Sequence, residues 1–142
     1  MTLGNKLTCL CAAVLLAGAA PLTATAADAG GGAQIAQRFN HPISNIPGKS
    51  LIAVEVDYPA GGKSAPHHHA GSAFIMAYVI SGAIRTQVAG QPVHVYRAGQ
   101  TWYEDPGAHH LISENASKTK PAKLLAVFVV DTKHGPLTTP DK

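Results

Sequence analysis

Two glycine-led segments that end in histidines decide the fold of this chain: GGKSAPHHH at residues 61–69 and GQTWYEDPGAHH at residues 99–110. Histidine is a scarce side chain that binds divalent metals through a neutral ring nitrogen. On an extended strand His67 and His69 project from the same face, because side chains alternate between the two faces. A third histidine on a separate strand, His110, would close a metal site on one side and leave the other side open.

The residues around these segments have the pattern of β-strands. Residues 51–58 alternate between apolar and acidic side chains, residues 73–80 are almost continuously apolar, and residues 122–130 form the last strong strand. No segment has a helical period over a useful length. Many short strands between Gly and Pro turns predict an all-β domain, a closed antiparallel barrel or a sandwich.

The apolar run at residues 73–80 carries large side chains on both of its faces. Such a strand is expected to be buried on both sides, either inside a packed sandwich or at an interface between subunits. The sequence therefore predicts a homodimer.

The 142 residues are enough for one domain. Lys6, an apolar run and the A-x-A pattern ending at Ala26 predict a signal peptide at residues 1–26, and thus a periplasmic or secreted protein. The apolar run is too short for a good membrane span, which needs about 20 residues. We expect a flexible, irregular segment at residues 27–49, the β-domain at 50–131 and a loose tail at 132–142.

The composition excludes several classes of function. The only two cysteines, Cys9 and Cys11, lie inside the predicted signal peptide, so the mature chain has no disulfide and no cysteine ligand. The 11 basic and 8 acidic residues of the chain are scattered without a basic run. We therefore predict no binding to nucleic acid.

The two histidine segments resemble the two motifs of the cupin superfamily, small β-barrels with jelly-roll topology. The first motif, G-x5-H-x-H-x3-4-E-x6-G, is matched by Gly61, His67 and His69, with Gly82 as the closing glycine. The second, G-x5-P-x-G-x2-H-x3-N, is matched in spacing by three further residues, Gly99, Gly107 and His110. The resemblance covers residues 51–130 and implies a single-domain jelly-roll β-barrel.

The chain departs from both motifs. Ala73 and Phe74 stand at the spacings where the first motif has its glutamate, and Glu114 stands where the second motif has asparagine. The resemblance therefore implies three metal ligands, which are His67, His69 and His110, but no carboxylate. Glu104 is the first candidate for a fourth ligand, Ser72 is a weaker one, and a water molecule is the simplest. Strand alternation puts Glu104 on one face with Trp102 and does not tell which face looks inward.

The remaining histidines have no partner in either motif. By alternation, His68 and His109 point away from the predicted ligands, which makes His68 a rim residue. Structural roles are expected for the others, which are His41, His94 and His134.

The predicted cofactor is one divalent ion: zinc, iron, copper, nickel or manganese. An ion held by imidazoles keeps its positive charge and polarises a bound water or an oxygen-bearing organic molecule. The resemblance implies an oxidoreductase of dioxygenase type. A non-catalytic envelope protein that binds a metal or a small ligand, and a metal-dependent isomerase, lyase or hydrolase, remain open alternatives.

Overall fold

The computed structural model describes residues 31–142 of the chain. They contain eleven strands and no helix: β1 (Gln34–Pro42), β2 (Lys49–Tyr58), β3 (Lys63–Ser64), β4 (His67–His69), β5 (Phe74–Ser81), β6 (Ala83–Val88), β7 (His94–Arg97), β8 (Thr101–Glu104), β9 (His109–Asn115), β10 (Ala122–Asp131) and β11 (Thr138–Pro140). The all-β prediction is thus confirmed. Within this range no helix is long and apolar enough to cross a membrane. The predicted signal peptide and both cysteines lie outside the described residues.

The strands form two antiparallel sheets. One has the order β1-β2-β10-β5-β8, and the other has the order β11-β4-β9-β6-β7 with β3 paired to β9. Between residues 31 and 142, strand pairing does not join the two sheets into a closed barrel. The arrangement is a two-sheet sandwich, with which a jelly roll is consistent.

The core lies between the sheets and follows the period of two. In β5 the side chains of Ile75, Ala77 and Val79 are buried, and Ile84 of the second sheet belongs to the same cluster. Ile52 of β2 and the alternate residues of β10 belong to it as well. The alternation read from the sequence therefore identifies the buried face of the long strands.

The other face of β5 is exposed in the single chain. Phe74, Met76, Tyr78 and Ile80 keep 37–42% of their surface accessible. The first alternative, burial of both faces inside a packed sandwich, was therefore wrong, and burial at an interface between subunits stays a prediction. The strand has a neighbour on each edge but nothing among the described residues covers its outer face.

Both ends of the described chain are more regular than expected. Residues 34–42 form β1, which pairs along β2 with an irregularity between Gln37 and Phe39. The irregularity breaks the alternation, and most of the side chains of β1 are exposed, so the segment lacks the sequence signature of a half-buried strand. The tail contains β11, which pairs with β4. The expectations of an irregular segment at 34–49 and a loose tail were wrong at these two strands.

Gly82 lies in the tight connection between β5 and β6. Its φ is +72°, and a Cβ there would lie 2.8 Å from the Ala122 Cβ and the Pro121 carbonyl oxygen. Only glycine accepts both this backbone conformation and this close approach. The connection allows consecutive strands to enter different sheets.

Candidate metal centre

The histidines of the two segments face each other across neighbouring strands. In the pairing of β4 with β9, His67 lies directly opposite His110, and His69 shares the face of His67. A tight turn with Gly107 at φ +75° leads from β8 into β9. The turn brings the last residue of β8, Glu104, close to His110.

The structure brings the three predicted histidines together. Each offers a ring nitrogen, and the three nitrogens lie within 4.8 Å of one another. The ring centroids are 4.8 Å apart for His67 and His69, 5.2 Å for His67 and His110, and 5.8 Å for His69 and His110. His69 and His110 are buried. The group has the size and the donor atoms of a metal site, and its metal-binding role stays a prediction.

Glu104 lies in the same cluster. Its Oε2 is 3.0 Å from Nε2 of His69, and its Oε1 is 3.4 Å from Nδ1 of His110. Oε1 also accepts a hydrogen bond of 3.0 Å from the indole N–H of Trp102. Trp102 and Glu104 therefore face inward and Tyr103 faces outward, which answers the question that the sequence left open.

The carboxylate of Glu104 enters the cluster from β8, whereas the first motif places its glutamate at the start of the neighbouring strand, β5. Glu104 of β8 pairs directly with Ile75 of β5 and shares its buried face. The motif position on the chain before β5 is Ala73, which is fully buried and carries no charge. The carboxylate of Glu104 thus lies beside the histidines, on the strand next to β5.

Three buried polar atoms in this cluster have no hydrogen-bond partner: Nδ1 and Nε2 of His69, and Oε2 of Glu104. The 3.0 Å contact between Nε2 and Oε2 does not have the direction of a hydrogen bond, although its length would permit one. A buried polar group without a partner costs about 1–3 kcal/mol, so native proteins rarely keep one without a reason. A shared metal ion would satisfy both side chains, and the donor set suits one.

Hydrogen bonds fix the other two rings. The Ala65 carbonyl oxygen, 2.8 Å away, can only accept, so Nδ1 of His67 donates and its Nε2 carries the lone pair. In His110, Nε2 forms a hydrogen bond of 2.6 Å with the Thr86 hydroxyl. Nδ1 is the ring nitrogen that faces Glu104. Such contacts to the outer nitrogen orient metal-binding histidines.

Burial keeps the cluster ready to bind a cation. Removal from water lowers the pKa of His67, and lowers the pKa of His110 to about 4. Burial by itself would raise the pKa of Glu104, but the neighbouring His69 and His110 outweigh it, and the pKa lies below its usual value. At neutral pH, His67 and His110 are therefore neutral and Glu104 is ionised.

A cavity of about 180 Å³ opens onto this cluster. Its lining is mostly apolar and includes Val54, Ile75, Ala126, Phe128 and Leu137. Tyr58 makes one part of the wall polar. Its hydroxyl forms hydrogen bonds with the hydroxyls of Ser64 at 2.9 Å and Ser113 at 2.8 Å. Burial raises the pKa of Tyr58, which keeps this hydroxyl protonated.

Two other residues that were named from the sequence, Ser72 and Glu114, lie elsewhere. The Ser72 hydroxyl accepts a hydrogen bond from the backbone N–H of Asp131, and Ser72 does not line the cavity. Glu114 pairs with Arg85 at 2.7 Å on the outer side of the second sheet. Asn115 is buried instead, and its amide nitrogen donates to the carbonyl oxygen of Lys120 at 2.7 Å. Neither the serine nor Glu114 belongs to the cluster.

Nothing in the sequence singled out Thr86. Threonine is common in strands, and its contact with His110 depends on the pairing of β6 with β9, which spacing along the chain does not reveal. The only available signal was its alternation with Arg85, which puts Thr86 on the opposite face.

Comparisons with known proteins agree with this architecture. No curated protein sequence matches the chain. An uncharacterized conserved protein with a double-stranded β-helix domain from Klebsiella pneumoniae is similar in structure, with a TM-score of 0.61 and 19% identity over 82% of this chain and 90% of its own. KdgF from Halomonas sp. has a TM-score of 0.57 and 18% identity over 73% of this chain and 85% of its own.

An oxalate oxidase in complex with glycolate has a TM-score of 0.58 and 22% identity, over 78% of this chain and 55% of its own. At such identities the likeness concerns the fold. The family model of the cupin domain matches residues 54–128, which is more than half of the chain and includes every residue of the histidine cluster. The chain therefore belongs to the cupin family.

Proposed function

We propose that this chain binds one divalent transition-metal ion through His67, His69, His110 and Glu104. The observation that carries the proposal is the convergence of buried, unpartnered donor atoms from β4 and β8 on one point. Two imidazoles have their outer nitrogens already engaged, which leaves one free nitrogen on each. Imidazole nitrogen with one carboxylate oxygen suits zinc, iron, copper, nickel and manganese.

The ligand of the cavity would be a small organic molecule that carries an oxygen anion. Three neutral imidazoles and one carboxylate leave a divalent ion with a net charge of about +1 in apolar surroundings. No Lys or Arg lines the cavity among the described residues, so this ion would be the only counter-charge for an anion. The volume of about 180 Å³ admits only a small molecule.

The reaction that we propose is an oxidation of dioxygenase type. A redox-active ion, when bound, supplies Lewis acidity and an electron-transfer centre. The chain itself excludes water with the side chains around Phe128, and it offers the protonated Tyr58 hydroxyl to a substrate oxygen. The structurally similar oxalate oxidase holds glycolate, a small oxygenated carboxylate, which supports this class of ligand.

A non-catalytic role in binding a metal or a small ligand is the second candidate. It is favoured by the absence, among the described residues that line the cavity, of any carboxylate besides Glu104 or any lysine. Glu104 contacts the imidazoles and is poorly placed to remove a proton from a substrate. Turnover of a substrate distinguishes an enzyme from a non-catalytic binding protein.

Turnover can be tested on the tag-free chain after separate loading with iron(II), manganese, copper, nickel and zinc. Small carboxylates, diketones and phenols are screened under air and under nitrogen, with oxygen uptake as the readout. We expect oxygen-dependent turnover that His110→Ala abolishes and His94→Ala retains. Turnover without oxygen would favour an isomerase, lyase or hydrolase, and ligand binding without turnover would favour the second candidate.

We also propose that the outer face of the five-stranded sheet binds a second copy of the chain. Register places one row of side chains straight across all five strands: Phe39, Ala53, Val127, Met76 and Tyr103. Phe39, Met76 and Tyr103 are 47%, 37% and 58% exposed. Phe74 stacks on Tyr103 and widens this apolar face.

The size of the face suits a dimer. Five strands about 4.8 Å apart and about 20 Å of strand length give roughly 400–500 Å² of flat area. Because side chains project from the sheet, the accessible area of the face is larger than this flat area. It approaches the value of about 800 Å² per partner that is typical of a stable interface. The apolar part surrounds the central row, and the ion pairs of Glu55 with Arg38 and Lys123 lie at one end of the face. Exposed apolar patches of a few hundred Å² on a monomer mark interaction sites.

Export is proposed from the sequence alone. The pattern that ends at Ala26 predicts a mature chain that begins at Ala27 and is found in the periplasm or outside the cell. N-terminal sequencing of the protein from separated cell fractions tests this directly. An intact N-terminus in the cytoplasmic fraction would contradict it.

A further inference from the structure

A second pair of histidines lies on the outer side of the same two strands. His68 of β4 is directly opposite His109 of β9, and alternation turns both away from His67 and His110. Their rings stack, with centroids 3.9 Å apart and planes inclined by 11°. Strand pairing thus places one pair of imidazoles on each side of this part of the sheet.

Asp141 completes the outer group. Its Oδ1 lies 3.2 Å from Nδ1 of His68, and its Oδ2 lies 2.8 Å from Nε2 of His109. The ligand atoms of the three residues lie within 4.8 Å of one another, and each side chain is partly open to solvent. The backbone holds Asp141 in this place, because its N–H donates to the carbonyl oxygen of Pro66 at 3.0 Å.

We propose that His68, His109 and Asp141 form a second, solvent-facing site for zinc or a similar first-row transition-metal ion. Two imidazole nitrogens and one carboxylate oxygen are a donor set for such ions. Tetrahedral zinc with bonds of about 2.0–2.1 Å separates its ligand atoms by about 3.3 Å. The two nitrogen–oxygen distances of 2.8 and 3.2 Å are close to this value. The stacked rings must turn so that both nitrogen lone pairs point at one ion, and the open side admits water as the fourth ligand.

The position of Asp141 gives this site a consequence for the cavity. Asp141 directly follows β11, which pairs with β4, and Leu137, Thr138 and Pro140 line the cavity wall. An ion shared by Asp141 and the two histidines ties the end of the chain to β4 and β9. Zinc at the outer site therefore fixes one wall of the cavity in place.

The number of bound ions tests the proposal. The full, tag-free chain is stripped of metal and titrated with Zn²⁺ by calorimetry, and we expect two equivalents. Asp141→Asn and, independently, His109→Gln should each remove one equivalent, while His94→Ala retains both. His110→Ala should remove the other equivalent, so that the failure of one site is distinguished from the failure of the other.

Hydrogen exchange of the C-terminal segment gives a second readout. Zn²⁺ should slow exchange of the backbone amides of residues 137–139 and 141 at least about tenfold in the wild type and in His110→Ala, but not in Asp141→Asn. Each variant is compared with itself with and without Zn²⁺, which removes any effect of the substitution on the fold. Retention of both zinc equivalents by Asp141→Asn and His109→Gln, or equal zinc protection in Asp141→Asn and wild type, would overturn the proposal.

Discussion

Oε2 of Glu104 and Nε2 of His69 lie 3.0 Å apart in the core, and neither atom has a hydrogen-bond partner. Two side chains from different strands thus keep buried polar atoms without hydrogen bonds, which costs free energy on folding. A cation between these atoms would remove that cost. The first three predictions concern the cluster around this contact.

Replacement of the carboxylate by an amide tests its role as a ligand. Glu104→Gln keeps the volume and removes the charge, so we expect the affinity for Zn²⁺ at the buried site to fall at least about tenfold. The metal-free variant should still fold, although it loses the favourable interaction of the carboxylate with His69 and His110 that lowers the pKa of Glu104. Calorimetry and thermal unfolding measure the two effects, and an unchanged affinity would exclude Glu104 as a ligand.

Thr86→Val tests the contact that orients His110. Loss of the hydroxyl at 2.6 Å from Nε2 should cost about 1 kcal/mol in the free energy of unfolding and lower the metal affinity about tenfold. Thr86→Ser keeps a hydroxyl and should retain most of the affinity. Equal metal affinity in the valine and serine variants would contradict an orienting role.

The stability of the metal-free protein should depend on pH in a direction set by burial. The pKa of His110 is about 4 in the fold and about 6.5 when the chain is unfolded, so the unfolded chain takes up the proton first as the pH falls. Stability from this group is complete above about pH 6.5 and is lost between there and pH 4, by about 3 kcal/mol in total. The lowered pKa of Glu104 acts in the same direction at more acidic pH.

Urea unfolding of the metal-free chain between pH 7 and pH 4 measures this loss. His110→Gln cannot take up the proton and should have a flatter profile. A wild-type stability that stays constant or rises towards pH 4 would be inconsistent with a buried, neutral His110.

The outer face of the five-stranded sheet predicts the oligomeric state. We expect a dimer at micromolar concentration, and Met76→Glu should dissociate it because a charge would be buried in the middle of the apolar row. Val95→Glu is the matched control, since Val95 is equally exposed but lies on the other sheet. Sedimentation velocity reports the state, and a monomeric wild type, or a dimer that Met76→Glu leaves intact, would refute this interface.

The sequence predicted the long strands because alternation marks them. Residues 51–58 and 122–130 became β2 and β10, and the buried side chains follow the period of two. It missed β1 and β11, whose exposed side chains leave no pattern of burial. Backbone pairing with β2 and β4 orders these two strands. Such pairing cannot be read from the composition of the segments.

The candidate site was predictable to a similar degree. Spacing and resemblance selected His67, His69 and His110, but alternation alone could not tell whether Glu104 faces inward. The answer depends on the pairing of Glu104 with Ile75, a contact between distant parts of the chain. The outer group was harder to predict, because Asp141 contacts His68 and His109 only through the pairing of β11 with β4.

The metal content of tag-free protein tests the central claim most directly. Elemental analysis of wild type, His110→Ala and His94→Ala, purified in parallel without chelators, compares a buried member of the cluster with an exposed histidine of β7. We expect His110→Ala to lose most of the metal at the buried site and His94→Ala to match the wild type. Metal content that is the same in all three proteins would contradict the account.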